Sequence, residues 1–168
     1  MTTLTADHAL GAAVLRHLDA QIVSARRLLD LVLRQGQAIR EREVETVLAC
    51  LAEIKTEMAR RERLEADRAD IIERAARALR ITPDRVTLDA LATLLPPADA
   101  DAARSRSAEL RGLLAEIARE HGINRALMRQ ELAFLDHLVR LIGQEPATGY
   151  APSKGEPAAA HRVLDLEA

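Results

Sequence analysis

Apolar residues return every three or four positions along most of this chain, and almost none of them is aromatic. Between residues 10 and 39 the series is Leu10, Val14, Leu18, Ile22, Ala25, Leu29, Val32 and Ile39, with one gap at Gln35 and Gly36. A repeat of this period is a helix seam of the coiled-coil kind. Hydrophobic residues make up 48% of the sequence, yet they include one Phe, one Tyr and no Trp. A core built from Leu, Ala, Val and Ile alone is a set of such seams. The expected fold class is therefore all-α: an elongated antiparallel helical bundle or coiled coil of three long helices, with a short connecting helix and a flexible C-terminal tail. At 168 residues the chain is long enough for one domain with a substantial core, expected over 1–143, with the tail at 144–168.

The first helix is expected over about 7–40, capped by Thr5 or Asp7. The second, over about 43–80, carries Val44, Val47, Leu51, Ile54, Met58, Leu64, Ile71, Ala75 and Ala78. No proline separates the two. One continuous helix through both would exceed 100 Å at ~1.5 Å per residue, whereas folding back buries more apolar surface, so an antiparallel hairpin turning near 40–43 is favoured. Residues 60–70 are charged all round except for Leu64, Ala66 and Ala69, a solvated stretch stabilised by opposite charges three or four apart. A short helix over about 83–95 follows, because Thr82 before Pro83 is an N-cap with proline at the first helical position. Thr87 is a second start signal, and Pro96-Pro97 ends the element.

The third long helix, over about 99–142, has Leu110, Leu114 and Ile117, then the polar pair His121 and Asn124, then Met128, Leu132, Leu135, Val139 and Ile142. Polar residues at seam positions form a layer that fixes register at some cost in stability. Gly122 beside them suggests a bend or a close helix approach, and Gly143 a left-handed helix end. Beyond residue 122 the helix is apolar over too much of its circumference. Leu127, Phe134, Leu138 and Leu141 form a second line beside Met128, Leu132, Leu135, Val139 and Ile142, and together they span roughly half the helix against the ~100° that packing on one core requires. The second line is available to a partner unless an oligomer buries it. The tail after Gly143 is rich in Pro and Gly, holds the only tyrosine, and is expected to be mobile.

Several function classes find no support. A formal net charge of -2, with both signs interleaved, supplies no basic face for nucleic acid. Cys50 is the only cysteine; it lies among Val47, Leu48, Leu51 and Ile54, where a buried inert thiol is expected. No apolar run approaches the ~20 residues of a membrane span, and the N-terminus lacks the pattern of a signal peptide, so a cytoplasmic location without membrane insertion is expected. None of His8, His17, His121, His137 and His161 has Glu three positions before it or another His four away, which leaves no helical metal site. Nucleophile elbows, phosphate loops and C-x-x-C motifs are also missing from the sequence, so neither an enzyme nor a cofactor is expected.

A long leading helix, a second helix with Lys55 and the Arg68-x-x-Ile71-Ile72 stretch, then NRALMRQELAFLDHLVRLI at 124–142 and a tail with Tyr150 together resemble the FlgN-like flagellar export chaperones. The resemblance covers roughly residues 10–155, and its specific part is 124–142 plus Tyr150. It implies a cytosolic chaperone that holds the hook-filament junction proteins FlgK and FlgL before type III export and delivers them to the export gate component FlhA. The client's C-terminal segment would lie on Leu127, Met128, Glu131, Phe134, Leu135, Leu138, Leu141 and Ile142. Tyr150 and Pro152 would contribute to gate docking, although the tail reads Tyr-Ala-Pro-Ser-Lys-Gly here where the family often has Tyr-Gly-Pro-Asp-Gly. The competing expectation is a self-associating coiled-coil scaffold or adaptor without a flagellar client. A homodimer of the free protein fits either reading.

Overall fold

The computed structural model describes residues 2–143, so the tail at 144–168, with Tyr150 and Pro152, lies outside the described residues. Every regular element among the described residues is helical: α1 (Thr2–Glu41), α2 (Val44–Leu79), a 3₁₀ turn (Pro83–Arg85), α3 (Leu88–Ala92) and α4 (Pro97–Gly143). The chain divides into two units, Met1–Ala133 and Phe134–Ala168. The division falls inside α4, at the point beyond which every side chain up to Ile142 is exposed.

Within the first unit, α1 and α2 form an antiparallel hairpin. Gln21 meets Glu65 at 3.4 Å, Ser24 meets Glu57 at 2.7 Å, and Arg34 meets Glu53 at 3.6 Å, so the numbering falls along one helix as it rises along the other. The reversal needs no glycine. Arg42 adopts a left-handed conformation at φ 59°, and the Glu43 N–H donates to the Ala38 carbonyl at 2.9 Å while the Arg42 N–H donates to that of Ile39 at 3.2 Å. Together these bonds satisfy the last carbonyls of α1 in a Schellman motif. Arg80 closes α2 in the same way, at φ 56°, with the Ile81 N–H donating to Ala76.

The connector is shorter than the expected helix over 83–95. Thr87 caps α3 by accepting from the Ala90 N–H at 3.1 Å, but α3 is over by Ala92. Pro97 then begins α4 rather than ending α3, the favoured place for a residue whose missing N–H would be unsatisfied anyway. The start of α1, the end of α2, α3 and the start of α4 enclose a core of Leu10, Val14, Ala75, Leu91, Ala92, Leu95, Ala100 and Ala103. From there α4 runs alongside α1 in the same direction, with Arg106 on Asp19 at 2.5 Å and Arg26 on Glu109 at 2.5 Å.

The inward face of α2 differs from the expected seam. Cys50, Glu57, Ala75 and Ala76 are its buried residues, while Val44, Leu51 and Met58 are exposed. Alternatives one position away produce two apolar lines on this helix, and the one that packs contains the small Cys50, which leaves room for α1. Gly143 is the last residue of α4, and no described glycine has a positive φ. Of the bend or close helix approach expected at Gly122, the approach is not found, since Gly122 has open space around it; close contacts occur at Gly11, against Asp99, and at Gly36, against Asn124.

Candidate functional site

The terminal stretch of α4 is helical because Leu, Val, Arg and His there are good or neutral helix formers and Arg140 pairs with Asp136 one turn earlier at 2.6 Å. Its surface in the second unit is apolar at six of the nine positions from 134 to 142. Phe134, Leu135, Leu138, Val139, Leu141 and Ile142 are all exposed, Ile142 to 74% and Val139 to 68%, leaving Asp136, His137 and Arg140 as the polar residues of the segment. Single exposed leucines are ordinary, whereas a contiguous set on adjacent turns marks an interaction surface.

The other residues expected at this surface belong to the first unit. Leu127 and Met128 are half-buried. Glu131 is also half-buried and pairs with Arg42 at 3.6 Å, beside an exposed Leu132.

Asn124 is completely buried, whereas His121 faces solvent. The polar interruption is thus made by Asn124 together with Gln35 of α1. The Asn124 Nδ2 donates to the Val32 carbonyl at 2.8 Å and to Gln35 Oε1 at 3.3 Å. Its Oδ1 sits over Gly36, where an added Cβ would come within 2.5 Å. The gap that Gln35 and Gly36 leave in the α1 seam is therefore the socket for Asn124.

A second buried polar centre escaped the periodicity argument. Glu57 is buried to 3% exposure; it accepts from Ser24 Oγ at 2.7 Å and lies 3.5 Å from Arg27 and 3.4 Å from Arg60. Its signal was a carboxylate in register with Ile54 and Leu64, opposite a serine in register with Gln21 and Leu28. Close by, burial lowers the pKa of His17, against the opposing pull of Asp67 and Glu65 and with a smaller lowering from Arg68. The Gln21 amide lies 3.4 Å from His17 Nε2. With that nitrogen accepting, the proton of the neutral ring sits on Nδ1, which has no partner. Among the described residues, no group of three or more His, Cys, Asp or Glu side chains could hold a metal ion, and no helix is long and apolar enough to cross a membrane.

Long helices, polar contacts that pair one helix with another, and an apolar helix end that no described element covers place this chain among helical interaction proteins. Compared with known families, the sequence matches the one described as FlgN protein over residues 10–158, and the chain belongs to that family. FlgN proteins have a flagellar export chaperone role. No curated protein and no solved structure matches the chain.

Proposed function

We propose that this protein is a cytoplasmic chaperone of flagellar type III export that holds FlgK and FlgL by their C-terminal segments and delivers them to FlhA. One observation carries the reading: the exposed apolar end of α4, from Phe134 to Ile142. A client segment folded as an amphipathic helix would anchor side chains at three- and four-residue intervals on this surface. Complete burial of such a side chain is worth about 1.5 to 3 kcal/mol. Leu135, Val139 and Ile142 are 53 to 74% exposed, so each has about half of that or more to offer. Several such anchors suffice for micromolar binding, about 8 kcal/mol, after part of the total is spent on ordering the client. In the first unit, half-buried Met128, whose side chain adapts to irregular surfaces, is a further proposed client contact with Leu127 and Glu131. Tyr150 and Pro152 serve docking to the export gate, and the chemistry is binding without a cofactor.

Calorimetric titration with the C-terminal segments of FlgK and FlgL from the same genome tests the proposal. Saturable binding to at least one segment is expected, lost in Leu138→Arg while circular dichroism stays helical. Loss of helicity in that variant would make this surface part of a core, and binding to neither segment would refute the chaperone reading. Tyr150→Ala is expected to retain client binding and to lose capture of the FlhA cytoplasmic domain.

A further inference from the structure

Within the first unit, α1, α2, the connector and α4 leave a cleft of about 370 Å³ between them, a volume in the range of small-molecule sites, ~300–1,000 Å³. Its cause lies in the charged stretch of α2. Where an apolar seam would close on α4, α2 brings Arg61, Glu65 and Arg68 to the same space that Leu110 and Leu114 of α4 line. Long charged side chains and leucines do not interdigitate as two apolar seams do, so the helices stay apart. Leu18, Ile71 and Leu91 add further hydrocarbon to the lining.

Two polar groups of this cleft lack partners. The buried side-chain atoms without a hydrogen bond among the described residues are His17 Nδ1, Arg61 Nη1 and Asn124 Oδ1, and the first two belong to residues that line the cleft. Both are donors, given that the Gln21 amide occupies His17 Nε2 at 3.4 Å. The lining holds one carboxylate, Glu65, and it is already engaged: Oε1 accepts from Gln21 at 3.4 Å and Oε2 from Arg68 at 3.3 Å. Arg61 also stands apart from its own kind. Of the three half-buried arginines among the described residues, Arg74 pairs with Asp70 at 3.9 Å and Arg106 with Asp19 at 2.5 Å, whereas Arg61 has no ion pair. A guanidinium partly withdrawn from water without an anion is unfavourable, and a bound acid would remove that cost.

We propose that the cleft binds a small amphipathic acid, with its carboxylate on Arg61 and His17 and its hydrocarbon body against Leu18, Leu110 and Leu114. A carboxylate supplies what the lining lacks, an acceptor for two donors and a counter-charge for one of them; a neutral or cationic ligand would leave Arg61 unmatched. Size favours a compact molecule over a client helix. A sphere of about 370 Å³ is roughly 9 Å across, less than the ~10–12 Å of a helix with its side chains. None of the residues from Phe134 to Ile142 lines the cleft, so the site is separate from the proposed client surface.

Calorimetric titration of the full chain with octanoate reads the site. Saturable one-to-one binding is expected, with a dissociation constant below about 1 mM for a ligand of this size. Arg61→Gln should weaken it at least tenfold, because a charge-assisted contact is lost, whereas Arg63→Gln, at an exposed position of the same helix, should not change it. The matched neutral ligand 1-octanol should bind at least tenfold more weakly than octanoate. Methyl NMR signals of Ile71 and Leu110 should shift on titration, and Leu138→Arg should bind octanoate as the wild type does. No saturable binding, equal affinity for 1-octanol, binding that survives Arg61→Gln, or binding that Leu138→Arg removes would each overturn the proposal.

Discussion

Gly36→Ala isolates the contact that sets the register of α1 against α4. In an exposed helix interior this change stabilises by about 1 kcal/mol, because Ala loses less backbone entropy and has the highest helix propensity. Here the new Cβ would sit 2.5 Å from Asn124 Oδ1 and 3.3 Å from Arg40 Nη1. The arginine end can swing away into solvent. Asn124 is 0% exposed and must rotate out of its bond to the Val32 carbonyl at 2.8 Å, leaving a buried amide without partners at a cost of about 1–3 kcal/mol. The net effect is a loss of up to about 2 kcal/mol where propensity alone foretells a gain. In an Asn124→Ala background the obstacle is gone, and Gly36→Ala is expected to stabilise by the full ~1 kcal/mol. The double-mutant cycle therefore carries a coupling of about 1–3 kcal/mol. Urea unfolding followed by circular dichroism, at one fixed protein concentration because association shifts apparent stability, measures all four variants. A gain of about 1 kcal/mol in both backgrounds would show that the Asn124 socket does not constrain the helix pair.

Three further outcomes follow from the same geometry. Glu57→Ala should cost about 1–3 kcal/mol by stranding the buried Ser24 hydroxyl and removing the partner of Arg27 and Arg60; Glu57→Gln should cost less, which chemical denaturation can resolve. Arg80→Gly should raise stability by about 0.5–1 kcal/mol, because glycine adopts the left-handed φ of 56° without the clash of a Cβ, and thermal melts of the two proteins provide the comparison. Burial lowers the His17 pKa in the folded state, so the unfolded chain binds a proton that the folded one resists. Stability from this residue is present above the unfolded value near 6.5 and is lost as pH falls through it toward the folded value. Urea midpoints at about pH 7.5 and pH 5.5 should drop more for the wild type than for His17→Gln.

Periodicity and composition determined that this chain is helical, where the long helices lie, and that a Pro-containing connector separates the second from the last. They also singled out the end of α4 as too apolar for one core, because a surplus of hydrocarbon on a helix is visible in residue spacing alone. They did not determine which side of α2 faces inward. Val44, Leu48, Leu51 and Met58 form as good a line as Val47, Cys50, Ile54 and Glu57, and the second includes a carboxylate. Tertiary structure decided between them: α1 offers Ser24 and Arg27 to Glu57, and Cys50 is small enough for the helices to meet. The place of the turn, near 40–43, was legible, but the left-handed conformation of Arg42 and the socket at Gly36 were hidden for the same reason. A left-handed arginine is stabilised by the carbonyls it leaves satisfied, and a glycine inside a helix by the asparagine that packs on it. Spacing along a chain records which residues share a face, and only packing against other helices chooses the face that is buried.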